Sequence, residues 1–447
     1  MEDFRGFVDR LERTGELLRI VKPVDARYVS SLVAQAKQAL FLEKVRGFAY
    51  PVVSGIVGTR KRIALALDCP ETIIGKKFNE GINKPISFKK VKDGPCKEVI
   101  LRGDQVDLTR FPIPLLHEKD GGPYISGGVV CSTDPEYGLN AGMYRMMFRT
   151  KNQTGIDLVS PSDMRRYYER ALQKGKPLEV GIAIGVHPFE MLSASYKAPI
   201  GMNEFAIAGG LHGEPVELIP CETVNVLVPA NAEIILEGEI LPIGWTEDEG
   251  RFGEFSHIQG DIKWNPVVRI KAITHRKDAI FYALHMPWEN DWLAGPATEA
   301  GAWRILKEAS VEPVAVQATP GSCCYWEIVA AIKKRPGEGK NAVLALLSIA
   351  EVKMVIVTDD DIDIFDPVEL DWALTFRVQA DKDVIIVQGG RGKHIDPSMK
   401  AWTFPKDELP TTAKLGIDAT IPEGVPRRRY ERLVYAFRDR VRLSDYL

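Results

Sequence analysis

Two glutamates, Glu249 and Glu254, lie five residues apart, with Gly250 and Gly253 just inside them. On a helix this spacing separates the side chains by roughly 140°, and on a strand it sends them to opposite faces. The glycines permit a tight bend that would turn both carboxylates into one cavity. Two carboxylates in different environments can have proton affinities that are pushed apart, as acid–base chemistry requires. The alternative is a solvated acidic turn.

A second motif covers residues 140–149, where polar and apolar side chains alternate as on a strand. The alternation puts Tyr144, Met146 and Phe148 on one face and Arg145 on the other. If that other face lines a cavity, Arg145 is a candidate for bidentate binding of a carboxylate. Gly142 permits a kink that would bring Asn140 to the same cavity. An ordinary surface arginine is the alternative reading.

Two further positions carry charge in unusual surroundings. Glu204 precedes small and apolar residues, so a helix there would be largely buried, and a buried carboxylate needs a cation or a metal. Alternatively, Glu204 could lie at the N-terminus of the helix and interact favourably with the helix dipole. Lys414 stands beside a small, flexible turn and could meet a phosphate as a point charge. The histidines show no HxH or HExxH spacing, so no histidine-rich zinc site is predicted.

The composition bounds the class of protein. The chain has 447 residues, and 58 Lys and Arg against 61 Asp and Glu give a net charge of −3, which argues against an electrostatic nucleic-acid binder. No apolar run approaches the roughly 18 residues needed to span a bilayer, and the acidic N-terminal pattern is not a signal peptide. Six scattered cysteines without a CxxC pair disfavour a disulfide framework. We expect a cytoplasmic enzyme without nucleic-acid or membrane partners.

The pattern of elements predicts an α/β fold in four parts. Residues 1–115 form an N-terminal α/β segment, and residues 116–296 are rich in short strands, which is typical of a closed or nearly closed antiparallel barrel. Residues 297–311 form a linker helix. Residues 312–447 return to α/β alternation and end in a helix over residues 427–441, whose apolar stripe would dock on its own domain or on another subunit.

Local patterns give finer expectations. Residues 50–57 and 61–67 read as two strands joined by a short turn. Within the barrel, only residues 164–173 and 202–208 read as helical.

Taken together, these motifs resemble the UbiD family of prenylated-flavin-dependent decarboxylases over nearly the whole chain. Further matching stretches are residues 107–130, 228–238, 359–365 and 371–377. The resemblance implies a split β-barrel that binds prenylated FMN and a reversible, non-oxidative decarboxylation. Within the family, the chain is most similar to the furan-2,5-dicarboxylate type.

The resemblance also implies roles for single residues. Arg145, Glu249 and Glu254 correspond to a Glu–Arg–Glu network above the flavin. Glu254 would donate and accept the proton, Arg145 would orient the substrate carboxylate, and Glu249 would hold Arg145. The implied cofactor-binding residues are Asn140, Met143, Arg145, Glu204 and Lys414, the last meeting the phosphate.

Two metal sites are implied as well. Asn140 and Glu204 resemble ligands of a divalent ion, usually Mn²⁺ with Mg²⁺ as an alternative, that also holds the cofactor phosphate. Asp163 stands where family members often have a histidine ligand, and it could equally be the N-cap of a helix beginning at Met164. A companion K⁺ site is implied at Ser193, Ala194 and Tyr196.

The resemblance allows more than one substrate. His285 and Arg304 fall where the family builds its pocket, and Arg304 would bind a second carboxylate or would be a solvated helix arginine. The favoured reaction converts furan-2,5-dicarboxylate to 2-furoate. A phenolic acid such as hydroxybenzoate or protocatechuate is the alternative, and a non-catalytic, cofactor-holding subunit of a carboxylase assembly is a hypothesis of another class. Expected partners are a flavin prenyltransferase, as cofactor supplier, and further copies in a dimer or hexamer.

Overall fold

The computed structural model describes residues 2–393, 395–399 and 411–447. Its described part has the predicted α/β fold, with a half-open barrel between an N-terminal segment and a C-terminal α/β domain. Two clusters of buried side chains pack in the C-terminal domain, whereas the N-terminal segment and the barrel share one large core. No helix within the described ranges has the length and apolar content needed to cross a bilayer.

The N-terminal segment begins with an amphipathic helix that buries Phe4, Phe7 and Leu11. Asp3 caps it by accepting a hydrogen bond from the backbone N–H of Gly6. The helices are α1 (Phe4–Arg13), α2 (Val29–Gln35), α3 (Arg60–Leu67) and α4 (Ile74–Asn83). The strands are β1 (Leu17–Ile20), β2 (Ala39–Leu42), β3 (Val52–Ser54), β4 (Lys89–Lys90) and β5 (Val99–Arg102).

The prediction of a strand over residues 61–67 is wrong, because these residues belong to α3. The side chain of Thr59 accepts a hydrogen bond from the N–H of Arg62 and so caps the helix at its start. An apolar run of this length fits a buried helix as well as a strand, and here the cap decides.

The central part is a nine-stranded sheet that curls into the half-open barrel. Its main path runs in the order β6-β9-β10-β17-β14-β11-β7-β8, and β5 pairs with β17. The central part also contains strands that pair outside this sheet, namely β12, β13, β15, β16 and β18. In chain order its strands are β6 (Tyr124–Ile125), β7 (Gly128–Asp134), β8 (Gly138–Met143), β9 (Met146–Thr150), β10 (Gln153–Gly155), β11 (Leu178–Ile184), β12 (Glu217–Pro220), β13 (Leu227–Pro229), β14 (Ile234–Ile240), β15 (Glu247–Glu249), β16 (Lys263–Asn265), β17 (Val267–His275) and β18 (Phe281–Tyr282).

Three helices pack beside the barrel strands, namely α5 (Asp163–Gln173), α6 (Pro188–Ser195) and α7 (Glu204–His212). The sequence predicted the first and third but missed α6, which starts from a capping box between His187 and Glu190. Almost every residue of α6 is buried, so it lacks the apolar and polar faces that a sequence pattern reveals.

A long helix, α8 (Trp288–Glu308), connects the barrel to the C-terminal domain, and the predicted linker helix is its second half. The C-terminal sheet has the order β19-β20-β21-β23-β22. Its strands are β19 (Pro313–Ala318), β20 (Glu327–Ile332), β21 (Met354–Asp359), β22 (Val384–Arg391) and β23 (Thr411–Asp418), and its helices are α9 (Glu338–Leu347), α10 (Pro367–Arg377) and α11 (Ala380–Asp383).

One buried carboxylate joins the connecting helix to the N-terminal segment and to the C-terminal domain. Glu299 on α8 binds Arg60 of α3, with Oε1 2.5 Å from Nη1 and Oε2 3.1 Å from Nη2. The same Oε1 accepts a hydrogen bond from the N–H of Ala318 at the end of β19. Gly75 of α4 approaches so closely that an added Cβ would lie 2.4 Å from the Cβ of Glu299.

The predicted C-terminal helix over residues 427–441 is wrong in this structure. Only a short 3₁₀ turn at Arg427–Tyr430 forms, and the apolar residues that follow lie in water, with Leu433 fully exposed. A short helix draws most of its stability from packing of its apolar face, and no surface within the described ranges covers this one.

Candidate active site

Arg145 lies at a bend between β8 and β9, beside a cavity of about 850 Å³. The predicted strand alternation breaks at this bend, so Tyr144 and Arg145 both line the cavity instead of facing opposite ways. The guanidinium of Arg145 stacks over the ring of Phe252, with its carbon 4.3 Å from the ring centroid.

Both glutamates of the opening motif reach this arginine. Glu249, the last residue of β15, binds it in bidentate fashion, with Oε1 2.7 Å from Nε and Oε2 3.0 Å from Nη2. Glu254 places Oε2 3.0 Å from Nη1. The structure therefore brings together Arg145, Glu249 and Glu254, the three residues to which the sequence assigned catalysis.

Two charged residues that the sequence did not single out complete the network. Asp157 contacts Arg145, with Oδ2 2.9 Å from Nη2. Lys263, on β16, places Nζ 2.7 Å from Oε1 of Glu254. Three carboxylates against Arg145 and Lys263 leave one net negative charge (−3 + 2 = −1). Glu254 therefore contacts a cation with each of its oxygens, Arg145 through Oε2 and Lys263 through Oε1.

The glycines of the motif allow close packing rather than a left-handed turn. A Cβ on Gly253 would lie 2.2 Å from Nδ1 of His117, and one on Gly121 would lie 2.5 Å from the carbonyl oxygen of Gly250. Gly250 and Gly253 can pass this close to Gly121 and His117 only because these glycines carry no side chain.

Burial and charge act on Arg145 in opposite directions. Burial by itself lowers the pKa of Arg145, but Asp157, Glu254 and Glu249 raise it well above its ordinary value. Burial also raises the pKa of Asp157, but Arg145, Lys263 and the N–H of Val159 together lower it below its ordinary value. The arginine is therefore a permanent cation at the cavity wall.

A second cluster lies on the cavity wall around Glu204, the first residue of α7. Its carboxylate accepts hydrogen bonds from Nδ2 of Asn140 and from the N–H of Ala141, both at 3.0 Å. Burial raises the pKa of Glu204 to about 7, and the negative charge of Asp163 contributes to the shift. Oδ1 of Asn140 is buried without a partner in the described structure. An unpartnered amide oxygen beside crowded carboxylates fits a hard divalent cation.

Asp163 lines the same cavity, and burial raises its pKa. The prediction that it caps a helix beginning at Met164 is wrong, because α5 begins at Asp163 itself and its N-cap is Ser162, whose side chain accepts from the N–H of Arg165. Asp163 is thus free of the capping role.

Met143, Ala194 and Tyr196 also line the cavity, as expected of cofactor-binding and K⁺-binding residues. Ser193 is buried behind them, and its hydroxyl donates a hydrogen bond to the carbonyl of Phe189 at 2.7 Å. Its side chain is therefore committed inside α6.

Three further predicted residues do not line the cavity. Lys414 lies in the C-terminal sheet, where Nζ donates to the carbonyls of Leu347 and Ile349 at 2.9 and 2.6 Å. Arg304 is half exposed on α8 and pairs with Glu308 at 3.8 Å. His285 is buried behind the cavity wall, and burial lowers its pKa to about 4.

Another lysine takes the position expected of Lys414. Lys393 lines the cavity from the C-terminal domain, with Nζ 4.1 Å from the ring centroid of Tyr325 and 4.9 Å from that of Phe255. Burial lowers its pKa to about 8. Lys393 follows the end of β22, and no motif around it in the sequence marks it for this position.

Comparison with known proteins decides the family. Three family models match consecutive parts of the chain: the N-terminal, Rift-related and C-terminal domains of 3-octaprenyl-4-hydroxybenzoate carboxy-lyase, at residues 8–96, 89–287 and 291–419. The anhydromevalonate phosphate decarboxylase of Methanothermobacter thermautotrophicus is 34% identical over 424 residues, which cover 94% of this chain and 96% of that protein. The chain belongs to the UbiD family. It is accordingly a carboxy-lyase of the UbiD type.

Other UbiD relatives match over their whole length. The UbiD-class enzyme HmfF from Pelotomaculum thermopropionicum, solved in complex with FMN, is 37% identical with a TM-score of 0.93, and the match covers 100% of both chains. The phenolic acid decarboxylase of Sedimentibacter hydroxybenzoicus is 32% identical, and the match covers 94% of this chain and 92% of that protein. An evolved dimeric form of HmfF carries prenylated FMN.

Proposed function

We propose that this UbiD-type enzyme uses prenylated FMN to decarboxylate furan-2,5-dicarboxylate to 2-furoate, in a reversible and non-oxidative reaction. The observation that carries the proposal is the geometry of Arg145, which Glu249 holds with two hydrogen bonds while Glu254 contacts it from the cavity side. A scaffold that only stores a cofactor needs none of this network, which argues against the non-catalytic subunit.

Arg145 is suited to receive the carboxylate that leaves. Four contacts to Glu249, Asp157 and Glu254 use four of its five N–H donors in the described structure, so a carboxylate that binds with both oxygens must displace one partner. Glu254 holds the arginine by one contact, whereas Glu249 holds it by two, and Lys263 remains as a second partner for Glu254. We infer that substrate binding moves Glu254 off Arg145 without leaving its charge unpaired.

Glu254 then takes up one proton from solvent and supplies it to the product. When bound, the prenylated flavin provides the electron sink that decarboxylation at an sp² carbon requires. Glu254 delivers a proton to the carbon that has lost CO₂, and in the reverse direction it removes that proton. The buried setting of the network excludes water from this exchange.

The cofactor would lie against Met143 and Arg145, and its phosphate would meet a divalent cation and a lysine. We propose Asn140, Glu204 and Asp163 as ligands of Mn²⁺ or Mg²⁺, since all three line the cavity and present oxygen atoms. A K⁺ ion would lie near the backbone of residues 193–196. Lys393, in place of Lys414, is the lysine for the phosphate.

The choice of substrate rests on the resemblance and on the cavity. Arg304 cannot receive a second carboxylate from its exposed position, but the cavity is also lined by Arg165, Arg166, Lys197 and Lys393, which offers cations for a diacid. A phenolic acid is the second candidate, because 3,4-dihydroxybenzoic acid decarboxylases and vanillic acid decarboxylase share the fold with TM-scores of 0.92 and 0.86. We further propose a cytoplasmic homo-oligomer, a dimer or a hexamer, supplied by a flavin prenyltransferase.

The test is an assay of CO₂ release by the chain co-produced with a flavin prenyltransferase, in the presence of Mn²⁺ and K⁺. The panel contains furan-2,5-dicarboxylate, 2-furoate, pyrrole carboxylates, hydroxybenzoates and an unsaturated aliphatic acid phosphate. Faster turnover of furan-2,5-dicarboxylate than of every other acid supports the proposal. Faster turnover of a hydroxybenzoate or of the unsaturated acid phosphate would identify that acid as the substrate in its place. Failure of every acid with prenylated FMN bound would point to the non-catalytic subunit.

A further inference from the structure

A histidine, an aspartate and a cysteine converge beside the active-site cavity. The ligand atoms of His257, Asp291 and Cys323 all lie within 4.8 Å of one another, and each residue comes from a different part of the chain. We propose that these three side chains form a second metal site, separate from the one around Glu204, that binds a transition-metal ion of the Zn²⁺ class.

The three residues are held in place by local structure. His257 lies in a turn closed by a hydrogen bond from its N–H to the carbonyl of Glu254. Asp291 is in the first turn of α8. Cys323 ends a 3₁₀ turn in the C-terminal domain, where its N–H donates to the carbonyl of Pro320. Trp288 packs edge-on against the imidazole, at 4.5 Å between ring centroids.

The carboxylate of Asp291 is the main evidence for a bound cation, because only one of its two oxygens has a partner in the described structure. The side chain is 1% exposed, and Oδ2 lies 2.8 Å from Nε2 of His257. Its other oxygen, Oδ1, is buried and has no hydrogen-bond partner in the described part of the chain. Burial raises the pKa of Asp291 to about 8. A buried carboxylate with a free oxygen is costly unless a cation binds it.

The set of donor atoms selects the class of ion. Imidazole nitrogen, carboxylate oxygen and thiolate sulfur together suit Zn²⁺, whereas Mn²⁺ and Mg²⁺ prefer oxygen alone. In a tetrahedral site with bonds of about 2.0 to 2.3 Å, ligand atoms lie about 3.3 to 3.8 Å apart, so small side-chain rotations suffice. Three protein ligands leave the fourth position to water.

The charges of such a site balance. Burial raises the pKa of the Cys323 thiol to about 12, so without metal the sulfur keeps its proton. On binding, the cation displaces the proton shared by His257 and Asp291, and the thiol proton passes to solvent. One thiolate, one carboxylate and a neutral imidazole then offset the two positive charges, which suits a partly buried position.

A metal at this point would fasten the loop of Glu254 to the C-terminal domain. His257 follows Glu254 by three residues in the same turn, and between them Phe255 stacks on Trp326 at 5.4 Å. The ion would add a second link between this loop and the C-terminal domain, and would join α8 to both.

The test uses the flavin-loaded enzyme, stripped of adventitious metal and then given one equivalent of Zn²⁺. We expect X-ray absorption at the zinc edge to show one sulfur at about 2.3 Å together with nitrogen or oxygen neighbours. Cys323→Ser should lose the sulfur neighbour and bind zinc at least about 100-fold more weakly in a chelator competition. Cys324→Ser, at the adjacent buried thiol, should keep both, and Glu204→Gln should keep the sulfur neighbour.

His257→Gln is a second test variant that should fold normally, because the histidine side chain is 34% exposed and its loss leaves the core intact. This variant should also bind zinc at least about 100-fold more weakly, and zinc should raise the Tm of the wild type but not that of the variant. A wild-type zinc spectrum without sulfur would overturn the proposal. So would unchanged affinity in His257→Gln, or a sulfur neighbour that survives in Cys323→Ser and vanishes in Cys324→Ser.

Discussion

Asp157 lies 2.9 Å from Arg145, measured from Oδ2 to Nη2, and is the third carboxylate on that guanidinium. Glu249 binds the same nitrogen, so the two acids together fix the plane in which Arg145 faces the cavity. The family resemblance assigned this task to Glu249 alone. The structure divides it between two residues that are 92 positions apart (249 − 157 = 92).

Replacing Asp157 by Asn should therefore disturb substrate binding more than it disturbs proton transfer. We expect kcat/KM to fall about 10-fold, mainly through KM, because an amide holds Arg145 less firmly. Steady-state kinetics on the acid turned over will measure the split. Asp248→Asn, at an exposed neighbour of Glu249, is the matched control and should leave both constants unchanged.

Glu254→Gln should abolish most turnover while preserving the fold and the flavin content. Glutamine keeps the size and a hydrogen bond to Arg145, but it cannot deliver a proton, so we expect a loss of at least about 100-fold in kcat. Glu247→Gln serves as the control, since Glu247 is exposed and lies 3.5 Å from Arg149. Normal turnover in Glu254→Gln would remove this residue from the proton path.

The two lysines of the C-terminal domain should behave differently. Lys393→Met removes the cation at the cavity wall, and we expect the Kd for FMN, measured by quenching of flavin fluorescence, to rise about 10-fold. Lys414→Met leaves the carbonyls of Leu347 and Ile349 without their donor, so it should lower the Tm and leave the Kd for FMN unchanged. The reverse pattern would restore Lys414 as the phosphate ligand.

Glu190 should make the stability of the protein depend on pH. Burial raises the pKa of Glu190 from 4.5 to about 8, so between these values the folded chain holds a proton that the unfolded chain has lost. The free energy of unfolding should then decrease as pH rises, by at most about 1.4 kcal/mol per pH unit from this group, and level off above pH 8.

Glu190→Gln should remove the part of that decrease that comes from residue 190, because a neutral amide stays neutral in both states. Urea unfolding at pH 5, 6, 7 and 8 measures the slope for each protein. Glu308→Gln, at an exposed position on α8, should retain the wild-type slope. Parallel slopes in the wild type and Glu190→Gln would show that Glu190 is ionised in the folded protein.

The sequence predicted best where motif and chemistry coincide. Arg145, Glu249 and Glu254 could be identified because each lies in a short motif of fixed spacing, and the contact of Asn140 with Glu204 follows from the same resemblance. Asp157 and Lys263 lie outside those motifs, and only the fold brings them near. The sequence placed Arg304 and Lys414 at the cavity wrongly for the same reason, since the direction in which a helix or strand presents a side chain depends on tertiary packing.

Secondary structure shows a similar division. The capping of α3 by Thr59 is a local signal that an apolar pattern concealed, whereas α6 is buried on all sides and carries no periodic signal at all. The apolar stripe in residues 427–441 is a real pattern, but it packs on no surface among the described residues, and the helix does not form.

The bonds of Glu299 to Arg60 and Ala318 have a consequence for how the protein comes apart. Removal of the C-terminal part, including α8, would leave Arg60 as a buried cation without a counter-ion, and removal of the N-terminal segment would strand Glu299 in the same way. The family divides this chain into three domains, yet the N-terminal and C-terminal domains each lose a buried counter-ion when they are separated. We therefore expect a single cooperative melting transition, with no stable fragment surviving partial digestion.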